Sequence, residues 1–252
     1  MKKAILCLIV SLNFLVACSL HKPLHVYLVG DSTMSERIDT LATPERGWGQ
    51  TLPAFLDDKT VVHNHARGGK STKSFLDGKY WEKVMENLGK GDVVVIQFGH
   101  NDARVGDSIQ YADTEQYAKN LHLMIGQAKA VGALPIICTP IARLYYNGDK
   151  IKNIPAPYQE AAIEVARLED IPLVDMTTLT TDWLDSIGKK EAQSCYVYKI
   201  APGEYSRYPE GKTDHTHLRS KGAMAVARLF AKAVLEQDIR PLSKHIRHCE
   251  EP

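Results

Sequence analysis

The apolar run His25-Val-Tyr-Leu-Val leads directly into Gly30-Asp31-Ser32, which sets a serine hydroxyl just past a stretch with strand composition. Far downstream, Asp214-His215-Thr216-His217 supplies a carboxylate and an imidazole three residues apart. A serine becomes a nucleophile when a base takes its proton, and a neutral imidazole suits that task near neutral pH. A carboxylate accepting from the other ring nitrogen fixes the tautomer and stabilises the imidazolium that forms. The spacing lets Asp214 fold back onto His217 within one turn. Ser32, His217 and Asp214 are therefore the candidate nucleophile, base and orienting acid of an acyl transfer.

Such a reaction also needs donors aimed in advance at a developing oxyanion. Two further blocks offer them. Val61-Val62-His63-Asn64 runs into His65-Ala-Arg-Gly68-Gly69-Lys70-Ser71, and Val93 to Gly99 ends in His100-Asn101-Asp102. Taken singly, each block has a plainer reading as a turn, a cap or a bend.

What must position these blocks is a set of βα units. Short β-branched runs at 25–29, 60–63, 92–98, 133–139 and 171–174 alternate with helical periods at 49–56, 80–88, 114–131 and 158–169, the pattern of a parallel sheet covered by helices. A last helix over 221–237, with Ser220 as its N-cap, repeats apolar residues at helical spacing. The Tyr-, Pro- and Gly-rich stretch 189–212 reads as one long loop delivering the chain to Asp214. In a parallel sheet all four blocks fall on the rim at the carboxyl ends of the strands.

In order and spacing, Gly30-Asp31-Ser32, Gly69, Gly99-His100-Asn101-Asp102 and Asp214-Xaa-Xaa-His217 resemble the four blocks of the SGNH (GDSL-type) hydrolases. Asp31-Ser-Thr-Met34, Gly47-Trp48-Gly49, Phe98-Gly-His-Asn-Asp102 and Asp214-His-Thr-His217 are more narrowly similar to the rhamnogalacturonan acetylesterase branch, with Lys70 departing from the arginine expected after the paired glycines. The resemblance implies a three-layer α/β/α, flavodoxin-like sandwich with a five-stranded parallel sheet. It implies a Ser32-His217-Asp214 triad and an oxyanion hole built from the backbone N–H groups of Ser32 and Gly69 and the side-chain amide of Asn101. It also implies an acetylated polysaccharide or oligosaccharide as substrate, with no cofactor and no metal.

Composition bounds the remainder. The chain has 252 residues, a formal net charge of +1, 44% hydrophobic and 24% charged residues, which suits a single globular domain and gives no basic surplus for a nucleic-acid partner. A monomer is expected. Met1-Lys2-Lys3, an apolar run and Leu15-Val-Ala-Cys18 resemble a bacterial lipoprotein signal, so residues 1–17 are expected to be removed, Cys18 lipidated, 18–23 a tether and 24–252 the catalytic domain. The place implied is the cell envelope, lipid-anchored and facing periplasm or exterior, with the anchor the sole membrane contact. Cys138 reads as a core thiol, and Cys195 and Cys249 could pair. Trp48 and Trp81 read as core residues ahead of sugar-stacking platforms, and the six tyrosines at 145, 146, 196, 198, 205 and 208 could line a glycan groove.

Two other functions compete. Asp31, His63, His65, His100, Asp102, Asp214, His215 and His217 could ligate metal in a phosphoesterase. The same cleft could also belong to a non-catalytic glycan-binding lipoprotein.

Overall fold

The computed structural model describes residues 22–39, 41–154 and 156–249. The leader and Cys18 lie outside them, and among the described residues no helix is long and apolar enough to cross a membrane.

Alternation along the first strand builds two cores at once. In β1 (Leu24–Gly30), Val26 and Leu28 face one layer of helices while Tyr27 and Val29 face the other. β2 (Thr60–Asn64), β3 (Val93–Gln97) and β4 (Leu134–Cys138) follow. β3 is buried throughout, Val93 and Val95 on one side and Val94 and Ile96 on the other, as a central parallel strand requires. A two-residue hairpin, β5 (Tyr146–Asn147) with β6 (Lys150–Ile151), precedes the last sheet strand, β7 (Leu173–Val174). The sheet is parallel in every pairing, with order β2-β1-β3-β4-β7, the doubly wound arrangement of flavodoxin-like proteins.

Helices α1 (Trp48–Thr51), α6 (Met176–Ile187), α7 (Lys189–Cys195) and α8 (Ser220–Glu236) cover the Val26 and Leu28 face. Helices α2 (Thr72–Asp77), α3 (Tyr80–Met85), α4 (Thr114–Ala130) and α5 (Ala156–Leu168) cover the other. The fold is the expected three-layer α/β/α sandwich. Trp48 and Trp81 are both core residues: the Trp48 indole packs on Phe230 and donates to Gln97 Oε1 at 2.6 Å, and Trp81 donates to Gln127 Oε1 at 2.6 Å. Cys138 is buried, and burial pushes its thiol up, as for an inert core group.

Four local expectations are revised. The helix over 49–56 is split into α1 and a 3-10 turn, Leu52–Phe55, because Pro53 has no N–H to continue an α-helical ladder. The supposed loop from residue 189 begins as α7. Helix α8 is capped by Arg219 in extended backbone, with no side-chain cap bond, and Ser220 is its first residue. Cys195 and Cys249 are free thiols, the first buried against α8 and the second half-buried near the C-terminus.

Candidate active site

The strand-end turn after β1 is fixed from below. Asp31 Oδ1 accepts from Thr33 N and Thr33 Oγ1, each at 2.8 Å, and Ser35 N closes onto Asp31 O at 3.1 Å. Thr33 Oγ1 accepts from Gln97 Nε2 at 3.1 Å, and Gln97 accepts the Trp48 indole, so a buried chain of bonds runs from the core to the residue beside Ser32. The parallel register sets Gly30 opposite Gln97, and a Cβ on Gly30 would lie 2.6 Å from the Gln97 carbonyl oxygen, so glycine is required there.

Ser32 emerges from this turn with its Oγ 2.9 Å from His217 Nε2, and His217 Nδ1 lies 2.7 Å from Asp214 Oδ2. A carboxylate only accepts, so the Nδ1 proton points to Asp214 and Nε2 is left to accept from the Ser32 hydroxyl. Asp214 Oδ1 takes the backbone N–H groups of Thr216 at 2.8 Å and His217 at 2.9 Å, the fold-back that a three-residue separation permits.

A second carboxylate stands behind this line. Lys212 Nζ reaches Asp214 Oδ2 at 2.7 Å and Glu45 Oε1 at 3.0 Å, and Glu45 Oε1 is 3.9 Å from His217 Nδ1. Glu45 also receives the Tyr208 hydroxyl and Arg37 Nε, the latter at 3.1 Å. Burial favours the neutral form of both acids. For Asp214, His217, then Lys212 and backbone donors, overcome burial and hold the carboxyl far below the usual range. For Glu45, the His217 charge, the Tyr208 hydroxyl and Lys212 lower it to about 2. Lys212 is raised in turn, its burial outweighed by the two carboxylates.

The glycine and asparagine blocks converge beside Ser32. Gly69 adopts φ +76°, open to a residue without Cβ strain, and neither its N–H nor that of Ser32 has an acceptor among the described residues. Asn101 Nδ2 spends one proton on Lys70 O at 2.8 Å and keeps the other. The two loops are joined by Asp102, which accepts from Thr72 N at 3.0 Å, Thr72 Oγ1 at 2.5 Å and Gly99 N at 3.1 Å. Its burial raises the carboxyl to about 7 against those donors. The cleft above holds about 340 Å³ and is lined by Ser32, Gly68, Gly69 and His217 together with Arg37, Glu45, Arg104, Arg207, Tyr208 and Lys212.

The ligand set of a metal-dependent phosphoesterase is scattered. His63 stacks on Tyr27 at 4.7 Å and hydrogen-bonds His25 at 2.9 Å, while His65 also stacks on Tyr27, at 5.9 Å. His100 is buried, takes Arg143 Nε on its Nδ1 at 3.1 Å, and is held well below its usual range by burial and by that guanidinium. Among the described residues only Glu45, Asp214 and His217 bring ligand atoms within 4.8 Å of one another, and there the Lys212 ammonium already bridges both carboxylates. His215 carries no catalytic contact: it hydrogen-bonds Leu144 O at 2.9 Å and stacks on Tyr145.

Sequence reasoning passed over Glu45, Lys212 and Arg37. The available signals were a glutamate two positions before Gly47-Trp-Gly49 and a lysine two positions before Asp214. Tyr208 was one of six tyrosines without an assigned role.

Residues 28–225 match the family model of the GDSL-like lipase/acylhydrolase family. The chain belongs to that family. It is 33% identical over 226 residues to a rhamnogalacturonan acetylesterase of Bacillus subtilis (strain 168), covering 89% of this chain and 95% of that protein. It is 28% identical over 238 residues to a rhamnogalacturonan acetylesterase of Emericella nidulans, covering 83% and 84% of the two chains. Among solved structures, the Bacillus subtilis protein YxiM superposes with a TM-score of 0.74 at 26% identity, over 86% of this chain and 58% of that one. An acetyl-xylooligosaccharide esterase from Geobacillus, at 15% identity and a TM-score of 0.59 over 83% and 93% of the chains, shares the fold. The GDSL-family protein described here is a carboxylic ester hydrolase.

Proposed function

We propose that the chain removes acetyl groups from rhamnogalacturonan or a related pectic polysaccharide by a serine mechanism. The observation that carries the reaction is the continuous line Ser32 Oγ, His217, Asp214, at 2.9 and 2.7 Å, beside donors with free protons. The names of the relatives support the substrate class. Ser32 Oγ attacks the acetyl carbonyl while His217 Nε2 takes its proton. The oxyanion is received by the N–H groups of Ser32 and Gly69 and the spare proton of Asn101 Nδ2. Collapse passes the proton from His217 to the departing sugar oxygen and leaves acetyl-Ser32. A water then attacks with His217 again as base, releasing acetate and restoring the serine. Lys212 stands behind Asp214 and favours its ionised form, and Glu45 holds the Lys212 ammonium from the other side.

Acetate release from acetylated rhamnogalacturonan, acetylated homogalacturonan and acetylxylan, assayed side by side with wild-type and Ser32→Ala protein, tests this. Fastest release from rhamnogalacturonan, abolished in the variant, is the expected result. Faster release from xylan overturns the substrate, and undiminished release by the variant overturns the mechanism.

The reading extends to location. The leader pattern supports export, lipidation of Cys18 and a catalytic domain held at the cell envelope by that anchor alone. Mass spectrometry of the mature N-terminus decides it: an unmodified residue other than Cys18 removes the anchor.

A further inference from the structure

Charge in the cleft does not balance. Lys212 and Arg37 are committed to the two carboxylates behind His217, Lys212 to both Asp214 and Glu45 and Arg37 to Glu45. Two further guanidiniums line the same cleft, those of Arg104 and Arg207, and among the described residues neither has an acceptor or an ion-pair partner. Both side chains are exposed, yet both backbones are tied to the site. Arg104 N bonds Asn101 O at 3.1 Å, and Arg207 N bonds Ala42 O at 3.2 Å, joining it to the segment that carries Glu45. Uncompensated cations that line the cleft of a reacting serine are stabilised by an anion placed against them. The planar fork of arginine fits a carboxylate by two parallel bonds.

We propose that Arg104 and Arg207 form a carboxylate subsite that binds a uronate of the polysaccharide and so sets which acetyl group reaches Ser32. This rests on the acetylated-pectin reading, since rhamnogalacturonan carries one carboxylate on every galacturonate and xylan backbones carry none. The pair acts on substrate affinity and placement, because the scissile ester is itself neutral. The contact is solvent-exposed, so its strength falls as salt rises.

The test compares wild-type protein with Arg104→Gln, Arg207→Gln and the double variant. The substrates are acetylated rhamnogalacturonan, the same polymer with its carboxylates methyl-esterified, and 4-nitrophenyl acetate. Each single change is expected to raise KM for the charged polymer on the order of tenfold, as for loss of a charge-assisted bond, with kcat much less affected. The ratio of kcat/KM for charged polymer to that for 4-nitrophenyl acetate should fall by the same factor. Methyl-esterification should cost the wild type as much as the double substitution does, and cost the double variant almost nothing more. Equal KM changes on charged and esterified polymer, or no change on either, overturn the subsite while leaving the pectin reading standing. If wild-type protein releases acetate from xylan and from no uronan, the pectin reading fails and the subsite fails with it.

Discussion

Ser32 donates into His217, and His217 donates into Asp214, so the three side chains act as one hydrogen-bonded unit and cannot contribute independently. Ser32→Ala is expected to lower kcat by about four to six orders of magnitude, and Ser32→Ala with His217→Ala to be scarcely worse than either alone. Single-turnover acetate release on purified variants measures this; losses that multiply would mean separate roles. Asn101 is different in kind in the proposed mechanism, where its free amide proton finds a partner only once the carbonyl carbon becomes tetrahedral. Asn101→Ala should cost about 10² to 10³ in kcat with little change in KM, as removal of one oxyanion donor does elsewhere. A rise in KM alone would make it a ground-state contact. These residues were legible in the sequence because each sits in a short block with its own chemistry. Glu45 was not, because its buried carboxylate meets Tyr208 and Lys212 only through tertiary contacts spanning 163 and 167 residues.

At the scale of elements, β1, β3, β4, α4 and α8 were readable from apolar runs or helical period. Others obey rules the pattern hides. α2 is six residues long and is nucleated by a capping box in which Ser71 and Ser74 bond each other's backbone N–H, with serine in the place usually taken by Glu or Gln. α6 carries Thr177, Thr178, Thr180 and Thr181, poor helix formers, and is a helix because Asp175 caps it and Met176, Thr177, Thr180 and Leu184 are buried. The capped start of α2 matters to function, since Thr72 is one of the two residues through which Asp102 ties the Gly69 loop to the Asn101 loop. Asp102→Asn keeps the shape but turns an N–H₂ toward one of those backbone donors, leaving a buried group unpaired at about 1–3 kcal/mol. The variant should show a lower Tm and a reduced kcat with KM nearly kept, measured by thermal unfolding and initial rates. Wild-type values of Tm and kcat together would show that the two loops are held by other contacts.

Across the whole molecule, the parallel sheet gathers four blocks from distant parts of the chain onto one rim, and the buried charges there make stability depend on pH. Glu45 and Asp214 are more acidic folded than unfolded, so their contribution is complete above the ordinary carboxylate range. For Glu45 it is lost as pH falls from about 4.5 to about 2. Asp102 has the opposite sign. Burial raises it to about 7, so the folded chain holds that proton more tightly than the unfolded one, and stability declines as pH rises from about 4 toward 7. The two effects set a stability maximum on the mildly acidic side, as far as these three groups decide it. Urea midpoints at pH 7, 4.5 and 2.5 for wild-type and Glu45→Gln protein test the acid limb. The variant is expected to start lower at pH 4.5, because Lys212 and Arg37 lose a partner, and to lose less between pH 4.5 and 2.5, because one of the two acids that must take a proton is gone. Parallel acid limbs would mean that Glu45 titrates alike in folded and unfolded chain, and that the Arg37, Tyr208 and Lys212 contacts do not hold its charge.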